Sequence, residues 1–146
     1  MTDVFDLHVV FDAADPDRVA TFWLAALPGY DYPNQPPDGF ATWDAWADAN
    51  NIPVEVRNLS RTIVDKASGR PDIFFLQVPD EKAGKNRVHL DIKVARGLEG
   101  EARRARIETE SQRLRSAGAT VHQVVDGQDG FWIVMRDPEG NEFCVS

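Results

Sequence analysis

Apolar and polar positions follow two rhythms along this chain. Strict alternation is clearest in "RVHLDIKV" (Arg87 to Val94). Val88, Leu90, Ile92 and Val94 fall on one side there, and His89, Asp91 and Lys93 on the other. "VFDLHVVFD" (Val4 to Asp12), "DIFFLQV", "TVHQVVDG", "FWIVMRD" and "EFCVS" are rich in β-branched and aromatic residues and also predict strands. The helical rhythm appears in "DPDRVATFWLAAL", where Val19, Phe22, Trp23 and Ala26 form one apolar face. Asp15 suits the N-cap of this helix, Pro16 suits its first turn, and Pro28-Gly29 stops it. A longer helix is predicted in "GLEGEARRARIETESQRLRSAGA", with Ile107 and Leu114 inward and Gly118 at its end. The acids interleaved with arginines in "EARRAR" read as a solvated face with local ion pairs.

The middle of the chain is less regular. "YDYPNQPPDG" and "EKAGKNR" predict loops, and "FATWDAWADANN" places Phe40, Trp43, Trp46 and Ala47 at the spacing of a short helix ending near Asn50-Asn51. "VEVRNLSRTIVDKASGRPDIFFLQV" predicts extended segments with a turn at Ser68-Gly69. Both halves then share one order: strand, helix, then two or three strands. The expected fold is α+β, a single domain over residues 1–146 built of two paired βαβββ modules, about 1–80 and about 85–146. Packed together, they would form a half-open barrel with a concave pocket, a natural small-molecule site.

Composition narrows the function. The net charge of −8 excludes a phosphate-binding surface of clustered Lys and Arg, so neither nucleic acid nor an anionic membrane is expected as partner. No run approaches about 18 apolar residues, and the first residues carry acids where a signal peptide needs positive charge. Cys144 is the one cysteine, so no disulfide forms within the chain. A cytoplasmic location is the expectation.

"HVVFDAADPDRVATFWLAAL", "GKNRVHLDIKV" and "MRDPEGNEFCV" resemble the vicinal oxygen chelate superfamily, and within it the glyoxalase-like branch of bacterial proteins. The resemblance spans almost the whole chain. It implies the paired modules described above, with a pocket inside each curved sheet. The superfamily includes glyoxalase I, extradiol dioxygenases, fosfomycin-modifying enzymes and bleomycin-sequestering proteins, so the resemblance implies a fold and leaves the reaction open. It also implies that the pocket is built within one chain or across a homodimer.

Metal-binding members take ligands from four strand positions. His8 matches the first and His89 the third. The second falls on Leu76 or Gln77, depending on register, and neither is a carboxylate or an imidazole. The fourth, usually Glu, is Cys144 when counted from Asp137, and Glu142 lies two residues earlier. The resemblance therefore implies an incomplete site. His8, His89 and Cys144 are its candidate ligands for a divalent ion (Zn, Fe, Mn or Ni), and a thiolate would favour Zn²⁺ over Mg²⁺ or Mn²⁺. These three groups are expected to converge in one hollow. Asp91 and Glu142 are candidate catalytic acids or bases. Asp91 reads first as an acid at the sheet rim pairing with Arg87 or Lys93, and Glu142, beside the turn, is expected to splay into solvent. Gln77, Trp46, Phe75 and Trp132 are candidate substrate-binding residues, with an ordinary core role as the alternative for the aromatics.

Two functions compete. One is a binding protein that sequesters or senses a small metabolite or aromatic compound and needs no metal. The other is a metal-dependent lyase, isomerase or dioxygenase using His8 and His89 as ligands.

Overall fold

The alternating runs become strands and the two periodic runs become helices. In the computed structural model of the protein, residues 3–67 and 69–146 are described; Ser68, on which the expected turn before Gly69 partly falls, lies outside them. The chain divides into two units, Met1–Leu24 with Pro28–Asp80, and Ala25–Leu27 with Glu81–Ser146.

In the first unit β1 (His8–Ala13) leads into α1 (Pro16–Ala26), and β2 (Tyr30–Asp31), α2 (Trp43–Ala49), β3 (Ser60–Asp65) and β4 (Asp72–Gln77) follow. The sheet order is β1-β4-β3-β2, with β1 parallel to β4 and the remaining pairs antiparallel. Helix α1 starts as its sequence predicts: the Arg18 amide donates to Asp15 Oδ1 at 3.2 Å. Its apolar face, Val19, Phe22, Trp23 and Ala26, is fully buried. Trp23 stacks on Phe11 of β1, and Phe11 stacks on Phe75 of β4, each at 5.5 Å between ring centres. Phe75 is therefore core at 0% exposure. This corrects its expected role as a substrate-binding residue: its position in the strand turns it toward the helix.

The second unit repeats the topology. β5 (Asp91–Ile92), α3 (Gly100–Ser116), β6 (Thr120–Gly127), β7 (Gly130–Arg136) and β8 (Glu142–Val145) form the order β5-β8-β7-β6. Ile107 and Leu114 of α3 are fully buried, as are Met135, Phe143 and Val145 of the sheet, so one sheet face is covered by the helix. Gly118 ends the helix with φ +118, a backbone that favours glycine. Ion pairs Arg104–Glu108 and Arg113–Glu110 line the exposed side of α3. The turn between β7 and β8 is tied by Asp137, whose Oδ1 accepts from the Glu139 and Asn141 amides at 2.9 Å each.

Each module is thus a βαβββ unit with an open four-stranded sheet, and the molecule is α+β. Two segments depart from their sequence pattern. "VEV" forms a single 3₁₀ turn, Val54–Val56, rather than a strand. "RVHLDIKV" is regular strand only at Asp91–Ile92, where it pairs with β8; backbone bonds from Cys144 to Leu90 and from Val94 to Ser146 extend the contact.

Candidate functional site

Strand alternation divides the second sheet into two chemically different faces. Phe143 and Val145 of β8 turn toward α3, so Glu142, Cys144 and Ser146 take the opposite face. Asp91 sits directly beside Cys144 in the parallel β5–β8 pair, and Val134 faces Cys144 from β7. The outcome is a cavity of about 560 Å³ lined by residues that include His89, Asp91, Lys93, His122, Trp132 and Cys144.

Three of these groups form a cluster. One donor atom each from His89, Asp91 and Cys144 lies within 4.8 Å of the other two. His89 Nδ1 is 3.3 Å from Asp91 Oδ1, and Lys93 Nζ is 3.8 Å from Asp91 Oδ2. Lys93 also donates to Ser146 Oγ at 3.0 Å. Burial raises the Cys144 pKa, and the negative charge and hydrogen bond of Asp91 raise it further, so the metal-free site holds a neutral thiol. Binding an ion there would release that proton. The mixed nitrogen, oxygen and sulfur donors fit a thiophilic divalent ion better than a hard one. Zinc's ligand atoms sit about 2.0–2.3 Å from the metal, so the three groups would have to draw inward to hold it. With two side chains half-exposed, this is a loose three-donor set.

Glu142 departs from its expected exposure. It is buried at 6%, with Oε2 accepting from the Asn86 amide at 2.9 Å and lying 3.4 Å from Lys82 Nζ. Burial pushes its pKa up, but the Asn86 amide, a further backbone hydrogen bond and Lys82 outweigh that and hold the carboxyl at about 2. The segment carrying Lys82 and Asn86 folds over it, so the carboxylate does not splay into solvent. Arg136 Nε lies 3.8 Å from Oε1.

The remaining candidates lie in the first unit. His8 is on β1, opposite Asp72 in the β1–β4 register, with its Nε2 3.7 Å from Asp72 Oδ2. Gln77 is exposed at the end of β4, and its Nε2 donates to the Ala14 carbonyl at 3.3 Å. Leu76 is exposed as well. Trp46 lines a cavity of about 550 Å³ together with Trp43 and Tyr32.

The geometry thus joins His89, Asp91 and Cys144 and adds Trp132 to the same cavity. His122, Lys93 and Ser146 are lining residues that the sequence pattern did not single out. A register shift between Val121 and Gln123 places both His122 and Gln123 at the cavity. Plain alternation would have sent them to opposite faces.

The family model described as a glyoxalase-like domain matches residues 8–146. The chain belongs to the glyoxalase-like family. With it, the chain joins the vicinal oxygen chelate superfamily. Solved structures with this fold include a glyoxalase/bleomycin resistance protein/dioxygenase family enzyme from Burkholderia phytofirmans PsJN. It has 16% identity and a TM-score of 0.63, with 97% of each chain covered. A fosfomycin resistance protein from Mesorhizobium loti has 13% identity and a TM-score of 0.58, covering 99% of this chain and 91% of that one. A mutant fosfomycin resistance protein from Listeria monocytogenes, complexed with Mn(II) and dihydroxypropylphosphonic acid, has 9% identity and a TM-score of 0.60, covering 99% and 90%. At these identities the likeness establishes the fold. No curated protein matches the sequence. No helix among the described residues is long and apolar enough to cross a membrane.

Proposed function

We propose that this glyoxalase-like protein binds a small molecule in the polar cavity of its second unit, beside a weak divalent-ion site made by His89, Asp91 and Cys144. The observation that carries this reading is the meeting of those three donors within 4.8 Å of one another in a cavity of about 560 Å³. The volume suits a metabolite-sized ligand. Trp132 offers an aromatic wall, and His122 and Lys93 offer donors to ligand oxygens. Once bound, the ion would act as a Lewis acid toward those oxygens. Residues His89 and Asp91 would hold it from β5 and the loop before it, and Cys144 from β8.

A binding role accounts for the acids better than catalysis does. Glu142 is engaged by Asn86 and Lys82, and a carboxyl near pKa 2 is a poor base at neutral pH. The enzymatic alternative, a metal-dependent lyase, isomerase or dioxygenase, would then rest its proton transfer on Asp91, which already faces His89 and Lys93. On the family resemblance and the single cysteine we also propose a cytoplasmic location, with a homodimer as the alternative to modules paired within one chain.

Elemental analysis after native purification tests the proposal. The loose donor set predicts less than one divalent ion per chain, with uptake on added Zn²⁺ that is lost in His89→Ala and retained in His8→Ala. A stoichiometric ion that survives purification, or uptake indifferent to His89, contradicts it.

A further inference from the structure

We infer that the first unit carries a ligand site of its own, formed by α2 and the edge of β3, which takes an uncharged planar aromatic molecule. The cavity measures about 550 Å³ and is lined entirely by first-unit residues. Three aromatic residues, Tyr32, Trp43 and Trp46, contribute to its lining. Trp43 and Trp46, three residues apart on α2, meet at 5.6 Å with their rings at 83°. A perpendicular pair makes a corner: a planar guest stacked on one ring presents its edge to the other, and both geometries are favourable. Helix α2 is held in place for this by Thr42, whose Oγ1 accepts from the Ala45 amide at 3.1 Å.

Charge selects the guest. Two guanidinium groups line the cavity, but both are engaged by the protein. Arg57 donates twice to the Ile52 carbonyl, at 2.9 and 2.7 Å, and pairs with Asp48 at 2.7 Å. Arg61 pairs with Asp17 at 3.0 Å and donates to the Arg57 and Ser60 carbonyls. Asp17 and Asp44 line the cavity too and face the same two guanidiniums, Asp17 at 3.0 Å from Arg61 and Asp44 at 3.8 Å from Arg57, so an ionic guest of either sign would have to break these pairs. What is left for a ligand is neutral: the hydroxyls of Tyr32, Thr42 and Thr62 beside the two indoles. The inference does not depend on the second-unit reading, since no residue is shared.

The test follows the side-chain N–H signals of the four tryptophans by nuclear magnetic resonance during titration with naphthamide, naphthoate and naphthylmethyltrimethylammonium. The three probes share a ring system and differ in charge. Naphthamide is expected to move the Trp43 and Trp46 signals saturably with a Kd below about 1 mM, and to leave core Trp23 still. Both ions are expected to bind at least about tenfold more weakly, a gap of about 1.4 kcal/mol. Trp43→Leu, at a half-exposed position, is expected to weaken naphthamide by about tenfold, whereas Cys144→Ala leaves it unchanged. No saturable movement at Trp43 and Trp46, a smaller gap for either ion, or no loss in Trp43→Leu overturns the inference. Loss of naphthamide binding in Cys144→Ala also overturns it, by showing that the site is not independent. The metal-uptake result stands apart from all of these outcomes.

Discussion

The two units have one topology and different chemistry. Their sheets match strand for strand, β1-β4-β3-β2 against β5-β8-β7-β6, and in each the first and last strands form the parallel pair. In the second unit the face away from the helix gathers His89, Asp91, Lys93, Cys144 and Glu142. In the first, the corresponding face offers His8 and Asp72 at one end, Val10 and Phe74 in the middle, and Asp12 and Leu76 at the other end. The units also differ in what joins their strands. Residues 32–59 lie between β2 and β3 and supply α2 with its two tryptophans, whereas β6 and β7 are joined through Gln128 and Asp129 alone. The shared framework explains the family fold. The differences lie in substituted face residues and one long connection, which is where function resides in a much-reused fold.

The largest effect that probes this comparison should come from the buried sides of the sheets. Phe75→Ala leaves a hole beneath α1 and should cost roughly 3–5 kcal/mol in urea unfolding, as large aromatic truncations in cores do. Trp132→Ala, on the cavity side, should cost clearly less and should instead impair ligand binding. A Trp132 loss equal to that of Phe75 would mean that the second face is core.

Metal uptake should respond next. His89→Ala and Cys144→Ala should each weaken Zn²⁺ binding by about tenfold or more, measured by titration calorimetry. Neither should change the response of Trp43 and Trp46 to naphthamide.

Acid stability probes a depressed carboxyl in each unit, Asp65 in the first and Glu142 in the second. In the first unit Arg70 bonds Asp65 at 2.9 and 3.0 Å, and this hydrogen-bonded guanidinium holds the Asp65 carboxyl at about 2 against an ordinary 3.8. A carboxyl with a depressed folded pKa contributes stability above its unfolded pKa and loses it as pH falls through the folded value. The Asp65 contribution should therefore be complete above about pH 4 and fade between about 4 and 2. Arg70→Ala should lower the urea midpoint at pH 6 and have a smaller effect at pH 2. An equal effect at both pH values contradicts this assignment. The smallest effect should come from Val124→Ala on exposed β6, within about 0.5 kcal/mol of the parent.

Much of the fold was legible because its elements carry periodic signals. Val19, Phe22, Trp23 and Ala26, and Ile107 and Leu114, occupy the buried helix positions that their spacing predicts. The site was legible where alternation holds, since His89 and Asp91 share one strand's face by parity, and Glu142 and Cys144 share another's; that Asp91 sits beside Cys144 depends on the pairing of the two strands. It was not legible where tertiary contacts decide. Glu142 is buried by Lys82 and Asn86, whose fold over the strand leaves no periodic trace. His122 reaches the cavity through a register shift that no alternation reveals. Phe75 was misread because one strand presents aromatic residues to both faces: Phe74 half-buried on one side and Phe75 in the core on the other.

Cobalt substitution tests the central claim most directly, because a thiolate bound to Co²⁺ adds an intense charge-transfer band in the near ultraviolet. The account predicts that this band rises with added Co²⁺ and that His89→Ala and Cys144→Ser abolish it. Uptake of Co²⁺ with only the weak spectrum of an all-oxygen-and-nitrogen site would contradict it, since His89, Asp91 and Cys144 would then not hold an ion together.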